Sequence, residues 1–400
     1  MQILKTLAYI ICYMIYPFSF LVPRSKKRLA FGSYRGGFGD NSKYLFIYAA
    51  EHCKDLEVCW LSVNRQTVKH VRSLGLPAYW VLSPIGAWKA LRAKYWFINS
   101  YLSDIMFCLS GNVTVINLWH GIGLKRAEFD IKSGPLADRY VKQTFKERFY
   151  HPECFRRPEY VLTTTPMMAT VFQRIFRVSE ESCLKLGYPR NQILTWPKEQ
   201  VKAFVERYEP KETIDLIGRM EQYDKVFIYM PTWRDSQLNV FVQQFDLDAL
   251  NEEMKKQNAL MLLKPHSNTR TEGVTGYSNI VFVNRTTDVY GILPFTDVLI
   301  TDYSSIYYDY LLVSKNEVIL FLYDYDEYVH ERDFHHPFDE NVVGKRVGSF
   351  AELLQCIKSG DYKSSQEERQ VIIDRFWGET VKLNACEEIL KVCDEEYKSI

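Results

Sequence analysis

The sequence predicts an α/β protein with two Rossmann-like domains and a short apolar segment in front of them. The chain has 400 residues, more than one hydrophobic core usually holds, so two domains are expected. In both halves, short apolar runs rich in β-branched and aromatic residues alternate with stretches of helical spacing. A helical stretch rich in lysine and glutamate, residues 197–220, separates the two series. This alternation is typical of parallel sheets covered by helices on both faces.

The N-terminal segment is apolar and is followed by positive charge. Residues 7–22 contain no charged side chain and include Pro17, four basic residues follow between positions 24 and 28, and the first acidic residue is Asp40. The stretch is shorter than the roughly 20 residues of a spanning helix, and a signal peptide would carry its charge in front. We therefore expect residues 1–27 to associate with the membrane surface as a short helix, facing anionic lipids of the cytoplasmic leaflet. The alternative is a buried first helix of the domain.

The two Rossmann-like domains are predicted to span residues 28–200 and 201–400, the second ending in helices. The predicted strands are 28–33, 57–63, 78–83, 95–100, 113–119 and 160–165 in the first domain, and 225–233, 259–267, 279–284, 297–305 and 318–324 in the second.

Composition excludes several classes of function. The formal net charge of +1 does not indicate a nucleic-acid-binding protein. The nine cysteines are scattered without a C-x-x-C pair, which is typical of a reducing compartment and argues against a structural zinc site. The glycines of residues 31–46 do not fit G-x-G-x-x-G, and no Walker lysine pattern occurs. We therefore expect no metal and no cofactor.

Polar side chains follow the predicted strands at their carboxyl ends, where open parallel sheets bind ligands. Hydroxyls, imidazoles and cations are the groups that bind a phosphorylated ligand. The residues that follow the strands are mostly of these types. They are His120, Gly121 and Lys125 in the first domain, and Thr232, Arg234, Lys264, His266, Asp302, Ser304 and Ser305 in the second.

His120 is the candidate catalytic base, because an imidazole with an ordinary pKa near 6.5 can take a proton from a hydroxyl group at cytoplasmic pH. The alternative is a packed side chain. Ser304 and Ser305 come where a helix should follow a strand, and Asp309 lies one helical turn further on. They indicate either a phosphate and polyol site or plain helix capping beside a solvated aspartate.

Three basic sites in the sequence have two interpretations each. His266 and Arg270 surround one strand end with Lys264, which indicates either a phosphate-binding cluster or an ordinary basic loop. Arg234 is either a ligand-binding cation or the partner of Asp235. Arg190 follows a turn and is either a clamp between domains or a surface arginine.

Five motifs in fixed order resemble the CDP-glycerol glycerophosphotransferases that build teichoic acids and some capsules. They are WHGIGLK, LGYPRN, MPTWRD, KPH and ITDYSSIYYDY, and the similarity covers roughly residues 28–345. The resemblance implies a GT-B-like fold whose two domains face each other across a cleft. It also implies transfer of a polyol phosphate, with glycerol phosphate favoured, from a CDP-polyol to an acceptor hydroxyl, releasing CMP. The implied partners are a lipid-linked or glycan acceptor and the cytoplasmic face of the cell membrane.

The resemblance also assigns residue roles. It makes His120 the base and makes Trp119, Gly121 and Gly123 line the donor site. The residues implied to hold the diphosphate and polyol are Arg190, Thr232, His266, Ser304, Ser305 and Asp309. We expect His266 to be a second catalytic residue, and Arg234 and Arg270 to bind substrate.

The chain departs from the family pattern at Ile122 and Gly123, where HGTPLK is usual, and this leaves the polyol open. The chain also lacks the long extensions of many polymerases, so we expect a single addition as readily as chain elongation. One alternative function is that of a GT-B glycosyltransferase or epimerase acting on nucleotide sugars, because a fold does not determine a function. The other is a non-catalytic, membrane-bound assembly protein.

Overall fold

The computed structural model divides the protein into two compact units. The first comprises Met1–Gly121, Arg126–Gln192 and Trp377–Ile400, and the second comprises Ile122–Lys125 and Ile193–Phe376. The residues described are 2–232, 245–264, 276–284, 286–325, 328 and 334–398.

The first unit is built on a seven-stranded sheet in which every neighbouring pair of strands is parallel. Its order, β3-β2-β1-β4-β5-β6-β7, reverses direction beside the first strand, as in a doubly wound Rossmann sheet. All six predicted strands are present, and the short edge strand β7 is additional. The strands are β1 (Ser25–Phe31), β2 (Glu57–Ser62), β3 (Ala78–Trp80), β4 (Ala93–Ile98), β5 (Thr114–Asn117), β6 (Tyr160–Thr163) and β7 (Cys183–Lys185).

Helices cover this sheet, and several begin at recognisable caps. The side chains of Asn64, Ser83 and Thr165 each accept a hydrogen bond from a backbone N–H in the first turn of the following helix. Proline occupies the first position of two of these helices, where its missing N–H costs nothing. The helices are α1 (Gln2–Ile15), α2 (Asp40–His52), α3 (Arg65–Ser73), α4 (Pro84–Arg92), α5 (Ala137–Tyr140), α6 (Phe145–Tyr150) and α7 (Pro166–Phe176).

The N-terminal helix α1 lies on the first unit with one face exposed. Tyr16, in the 3-10 helix that follows α1, stacks on Phe107 with ring centroids 4.6 Å apart, and Thr6 hydrogen-bonds the Tyr150 hydroxyl at 2.7 Å. Only 6% of the segment Ile3–Leu21 is buried, so the alternative of a buried first helix is wrong. Among the described residues it is the one helical segment long and apolar enough to cross a membrane, by length and composition.

The second unit contains a six-stranded parallel sheet in the order β10-β9-β8-β11-β12-β13. All five predicted strands are present, and a short edge strand is again additional. The strands are β8 (Lys225–Met230), β9 (Ala259–Leu263), β10 (Ile280–Phe282), β11 (Val298–Thr301), β12 (Glu317–Phe321) and β13 (Lys345–Val347). The described helices are α8 (Lys198–Tyr208), α9 (Lys211–Met220), α10 (Leu247–Lys256), α11 (Ile306–Tyr310), α12 (Phe350–Ser359) and α13 (Gln366–Phe376).

The C-terminal segment returns to the first unit. Its last helix, α14 (Ala385–Lys398), packs against α2, and the Tyr95 hydroxyl donates to the backbone oxygen of Cys393 at 3.2 Å. The Trp377 ring meets Tyr188 edge to face at 5.8 Å. The sequence predicts that all C-terminal helices belong to the second domain. The structure differs because the apolar contacts of this segment are with the first sheet and its helices.

Candidate active site

The turn after β5 places His120 at the carboxyl end of the first sheet. Trp119 has a left-handed backbone with φ of 51°, and Gly121 follows with φ of 114°, a region that favours glycine. The Trp119 N–H donates to Asn117 Oδ1 at 2.9 Å, and Asn41 Nδ2 donates to the Trp119 oxygen at 2.9 Å. The side chains of Asn117 and Asn41 therefore stabilise an unfavourable backbone conformation at Trp119 and fix the backbone that carries His120.

The imidazole of His120 has a defined orientation. Its Nδ1 lies 3.3 Å from the backbone oxygen of Asn99, so Nδ1 carries the proton and Nε2 is the basic nitrogen. The ring lies beside the Trp119 ring with centroids 3.9 Å apart, and Trp119 is itself held edge-on by Phe176 at 4.8 Å. His120 is exposed to solvent. A basic nitrogen on an oriented, accessible ring can accept a proton from a bound hydroxyl group.

Arg190 supports this turn from inside the first unit. Its Nη2 donates to the His120 oxygen at 2.8 Å, and its Nη1 pairs with Asp40 Oδ1 at 2.6 Å. The Arg190 backbone N–H donates to Asn41 Oδ1 at 3.1 Å. Only 6% of Arg190 is exposed, so the interpretation as a surface arginine is wrong. The contacts give Arg190 a positioning role, through the backbone of His120.

The surroundings of His120 keep it neutral. Although part of His120 is open to solvent, the protein packed around it removes hydration and lowers its pKa below the ordinary value, and Arg190 acts in the same direction. Asp40 and the Asn99 carbonyl oppose this shift. The net direction favours the uncharged imidazole near neutral pH, which is the form that acts as a base.

A buried polar network holds Asn99 and, through it, the imidazole. The Asn99 side chain accepts from Ser42 N–H at 3.0 Å and donates to Ser33 Oγ at 3.0 Å. Asp104 Oδ2 accepts from the Asn99 and Ser100 N–H groups, both at 2.9 Å. Burial raises the pKa of Asp104 to about 7, against the opposing effect of these hydrogen bonds. The sequence does not predict this network, whose only sequence signal is a run of polar residues after the glycine-rich loop and after β4.

The second unit presents hydroxyl groups at the carboxyl ends of β8 and β11, which are adjacent parallel strands. The Thr232 N–H donates to Asp302 Oδ1 at 2.8 Å, which fixes the end of β8 against the end of β11. Ser304 and Ser305 are partly exposed, and Ser305 makes no side-chain capping bond to α11. The capping interpretation is therefore wrong for Ser305, and Thr232, Ser304 and Ser305 share one edge of the sheet.

Asp309 does not face solvent or an open site. It is completely buried, and the Tyr290 hydroxyl donates to its Oδ2. The alternative of a solvated aspartate is therefore wrong, and the predicted contact of Asp309 with a ligand stays a prediction. The reason is local: α11 has only five residues, and all of them are buried.

Several predicted site residues lie apart from these groups or outside the described residues. Gly123 belongs to the second unit, whereas Trp119, His120 and Gly121 belong to the first. Arg234, His266 and Arg270 lie outside the described residues. Among the described residues, no group of three or more His, Cys, Asp or Glu side chains is placed to hold a metal ion, and the expected absence of a metal stays a prediction.

Comparison with known proteins identifies the family. A family model described as CDP-Glycerol:Poly(glycerophosphate) glycerophosphotransferase matches residues 14–383. The teichoic acid glycerol-phosphate transferase of Staphylococcus aureus is 27% identical over 88% of this chain and 89% of its own length. The teichoic acid poly(glycerol phosphate) polymerase of Bacillus subtilis is 26% identical over 86% of this chain but only 45% of its own length. The chain thus spans most of the first relative and about half of the second.

Two solved structures resemble this chain over nearly its whole length. The wall teichoic acid polymerase TagF superposes with a TM-score of 0.75 over 99% of this chain and 98% of that chain, at 25% identity. A UDP-N-acetylglucosamine 2-epimerase from Listeria monocytogenes gives a TM-score of 0.52 over 93% of this chain and 97% of that chain, at 9% identity, which shows a shared fold alone. Both matches confirm the α/β GT-B-like architecture. The chain is a transferase that belongs to the CDP-glycerol:poly(glycerophosphate) glycerophosphotransferase family.

Proposed function

We propose that this enzyme transfers glycerol phosphate from CDP-glycerol to a hydroxyl group of a lipid-linked teichoic acid acceptor at the cytoplasmic face of the membrane, releasing CMP. The observation that carries the proposal is the orientation of His120. Its Nδ1 is committed to the Asn99 oxygen, its Nε2 is basic, and its pKa is lowered by lost hydration. Family membership supplies the substrate class, and the S. aureus relative of similar length favours glycerol over ribitol.

The proposed reaction needs one base and a set of groups that hold a diphosphate. His120 Nε2 takes the proton of the acceptor hydroxyl as that oxygen bonds to the phosphorus atom bearing glycerol. The bond from this phosphorus to the bridging oxygen breaks, and its electron pair leaves with CMP. The imidazolium then releases the proton to solvent. General-base catalysis of this kind contributes about 10²–10⁴-fold, or roughly 3–5 kcal/mol.

We assign donor binding to the second unit and acceptor activation to the first, following the division predicted at residues 28–200 and 201–400. Hydroxyl groups of Thr232 and Ser304 support this assignment, because they lie at the strand ends where parallel sheets bind ligands. The other substrate-binding candidates within residues 201–400 are Arg234, His266, Arg270, Ser305 and Asp309. The resemblance also implies donor contacts within residues 28–200, from Trp119, Gly121, Gly123 and Arg190.

The N-terminal segment is proposed to hold the enzyme on the membrane. Leu4, Met14, Phe18 and Leu21 are exposed on α1 and the 3-10 helix after it, with exposed fractions of 58% to 76%. Burying such side chains in lipid is favourable by roughly 25 cal/mol per Å² of apolar surface. Of the basic residues that follow, Arg24 donates to the backbone oxygens of Gly111 and Leu109 and Arg28 pairs with Glu57, whereas Lys27 is exposed. The exposed apolar side chains therefore carry the proposed attachment.

A nucleotide-release assay tests the proposed activity. The purified enzyme is incubated with CDP-glycerol, CDP-ribitol and UDP-sugars, each with and without a lipid-linked disaccharide acceptor carrying glycerol phosphate. We expect acceptor-dependent release of CMP from CDP-glycerol. Release of UDP instead would favour the glycosyltransferase alternative, and no nucleotide release from any donor would favour a non-catalytic protein.

A further inference from the structure

A single peptide group separates His120 from a buried carboxylate. The backbone oxygen of Asn99 lies 3.3 Å from His120 Nδ1, and the Ser100 N–H, which belongs to the same peptide group, donates to Asp104 Oδ2 at 2.9 Å. The carboxylate, the 99–100 peptide group and the imidazole therefore follow one another in a continuous series of hydrogen bonds. We call this series the Asp104–peptide–His120 array.

The array has the polarity that favours a positive charge on His120. A carboxylate that accepts from the N–H of a peptide group makes the oxygen of that group more negative, because hydrogen bonds in series polarise one another. A more negative Asn99 oxygen binds the Nδ1 proton more strongly, above all when the ring is an imidazolium. In a Ser-His-Asp triad the aspartate does this by direct contact with Nδ1–H. Here one peptide group lies between the two side chains.

The geometry of the array is fixed from the side of the His120 turn. Asn117 Nδ2 donates to the Ser100 oxygen at 3.0 Å, and Asn117 Oδ1 accepts from the Trp119 N–H at 2.9 Å. One buried amide thus ties the segment that holds the 99–100 peptide group to the turn that carries the imidazole. The distance between His120 Nδ1 and the Asn99 oxygen is consequently set by the fold.

Hydrogen bonding alone does not explain a carboxylate at position 104. Only 2% of Asp104 is exposed, and its Oδ2 also accepts from the Asn99 N–H at 2.9 Å. These partners are neutral N–H groups, and the charge that acts on Asp104 is that of Asp40, which is also negative. A neutral asparagine would accept from the same N–H groups without the desolvation of a buried charge. The carboxylate therefore indicates a use for the charge itself.

We propose that Asp104 is a positioning residue for the transfer reaction, and that its carboxylate acts through the 99–100 peptide group to keep a proton on His120 Nδ1 and to stabilise the imidazolium. The imidazolium forms when Nε2 takes the proton of the acceptor hydroxyl, and Asp104 itself neither gains nor loses a proton in that step. This inference rests on the proposed function, in which His120 is the base.

Asp104→Asn removes the charge and preserves the shape. The asparagine oxygen can accept from the Asn99 and Ser100 N–H groups, so the melting temperature should change little. We expect kcat for CMP release from CDP-glycerol to fall about fivefold at about pH 8, a small part of the roughly 10²–10⁴-fold that the base supplies. The KM values for CDP-glycerol and for the acceptor should stay unchanged, because the buried carboxylate is not available to a substrate.

The pH dependence of this effect separates a role for the charge from a structural role. Burial raises the pKa of Asp104 to about 7, so its charge is present above that value and is lost as pH falls through it. The two proteins should therefore become equally active at about pH 6, where the wild-type carboxyl group is itself neutral. The wild type should show a shallow shoulder near pH 7, above the steep acidic limb due to His120. The other charged groups at the imidazole, Asp40 and Arg190, are the same in both proteins.

The matched control is Glu159→Gln. Glu159 Oε2 accepts from the Val115 N–H at 2.7 Å, on the strand β5 that leads to His120, so this change also replaces a carboxylate bound to a backbone N–H. It should leave kcat unchanged at both pH values. An unchanged kcat in Asp104→Asn at the higher pH, a loss of equal size at both pH values, or an equal loss in Glu159→Gln would overturn the proposal.

Nitrogen NMR of the histidine side chains separates this inference from the proposed function. If the wild type releases no CMP from CDP-glycerol, the proposed function fails, and the array is then tested by the His120 signals, assigned with His120→Ala. In the wild type they should shift in a small step near pH 7, as Asp104 ionises, and Asp104→Asn should lack this step. The wild-type titration decides by itself if Asp104→Asn does not fold. Absence of the step in the wild type, or its persistence in a folded Asp104→Asn protein, overturns the proposal.

Discussion

Replacement of His120 by alanine should abolish transfer while leaving the fold intact. The imidazole is exposed and makes one hydrogen bond, 3.3 Å long, to the Asn99 oxygen, together with one aromatic contact. The hydrogen bond and the ring contact are each worth about 1 kcal/mol of unfolding free energy, so the stability loss should be about 2 kcal/mol at most. Loss of the general base should lower kcat/KM by about 10²–10⁴-fold, or roughly 3–5 kcal/mol of activation free energy.

The assay is CMP release at saturating and limiting acceptor, with urea unfolding of the same preparations. The matched control is His52→Ala, because His52 is also exposed and lies against an aromatic ring, that of Tyr48 at 4.4 Å. It should keep full activity. A loss below about tenfold in His120→Ala, or an equal loss in His52→Ala, would refute the assignment of His120 as the base.

The pH dependence of the wild type provides a second readout of the same residue. Lost hydration lowers the pKa of His120, so protonation removes the base only below the ordinary value near 6.5. The acidic limb of kcat/KM should therefore lie below that value, with the rate falling as pH falls. An acidic limb above pH 7 would contradict this reasoning.

Three further changes test the surroundings of the site. Asp40→Asn should cost about 2 kcal/mol of unfolding free energy, because it leaves buried Arg190 without its carboxylate partner. The same change should move the acidic limb of kcat/KM to lower pH, since Asp40 raises the pKa of His120. Asp309→Ala should cost about 2–4 kcal/mol in urea unfolding, because the buried Tyr290 hydroxyl loses its acceptor beside a new cavity. Leu4→Glu should weaken sedimentation with anionic vesicles severalfold at unchanged melting temperature, because Leu4 is 72% exposed.

Two of these changes have a control at an exposed position, and the third is tested by a double variant. Asp55→Asn should leave stability and the pH profile unchanged, and Val371→Glu should leave vesicle binding unchanged. Equal effects of Asp40→Asn and Asp55→Asn would contradict the role of the Arg190 pair. A Tyr290→Phe, Asp309→Ala double variant should lose less than the sum of the two single changes, and simple additivity would contradict their coupling.

The sheet and the position of His120 were predictable from the sequence, because continuous apolar runs end at polar residues. The additional strands β7 (Cys183–Lys185) and β13 (Lys345–Val347) contain charged residues, so no apolar run marks them. The equally short edge strands β3 and β10 were predicted because they lie in the apolar runs 78–83 and 279–284. The final helix is amphipathic, but an apolar face does not indicate which unit it covers. Tertiary packing alone decides that question.

The network around His120 was not predictable, because its members are far apart in the chain. Arg190 and Asp40 are separated by 150 positions, and neither forms a pattern with His120. For Asp309 a local sequence pattern exists, but it misleads. Helical spacing places it one turn after Ser305, but the short helix turns its side chain into the core, where Tyr290 binds it.

Asn41 gives the turn of His120 a chemical vulnerability. This completely buried amide uses its nitrogen for the oxygens of Leu118 and Trp119 and its oxygen for the Arg190 N–H. An aspartate of the same shape would set a charged oxygen against two carbonyl oxygens, with nothing to donate. An Asn41→Asp change would therefore inactivate the enzyme without removing a single atom of its base.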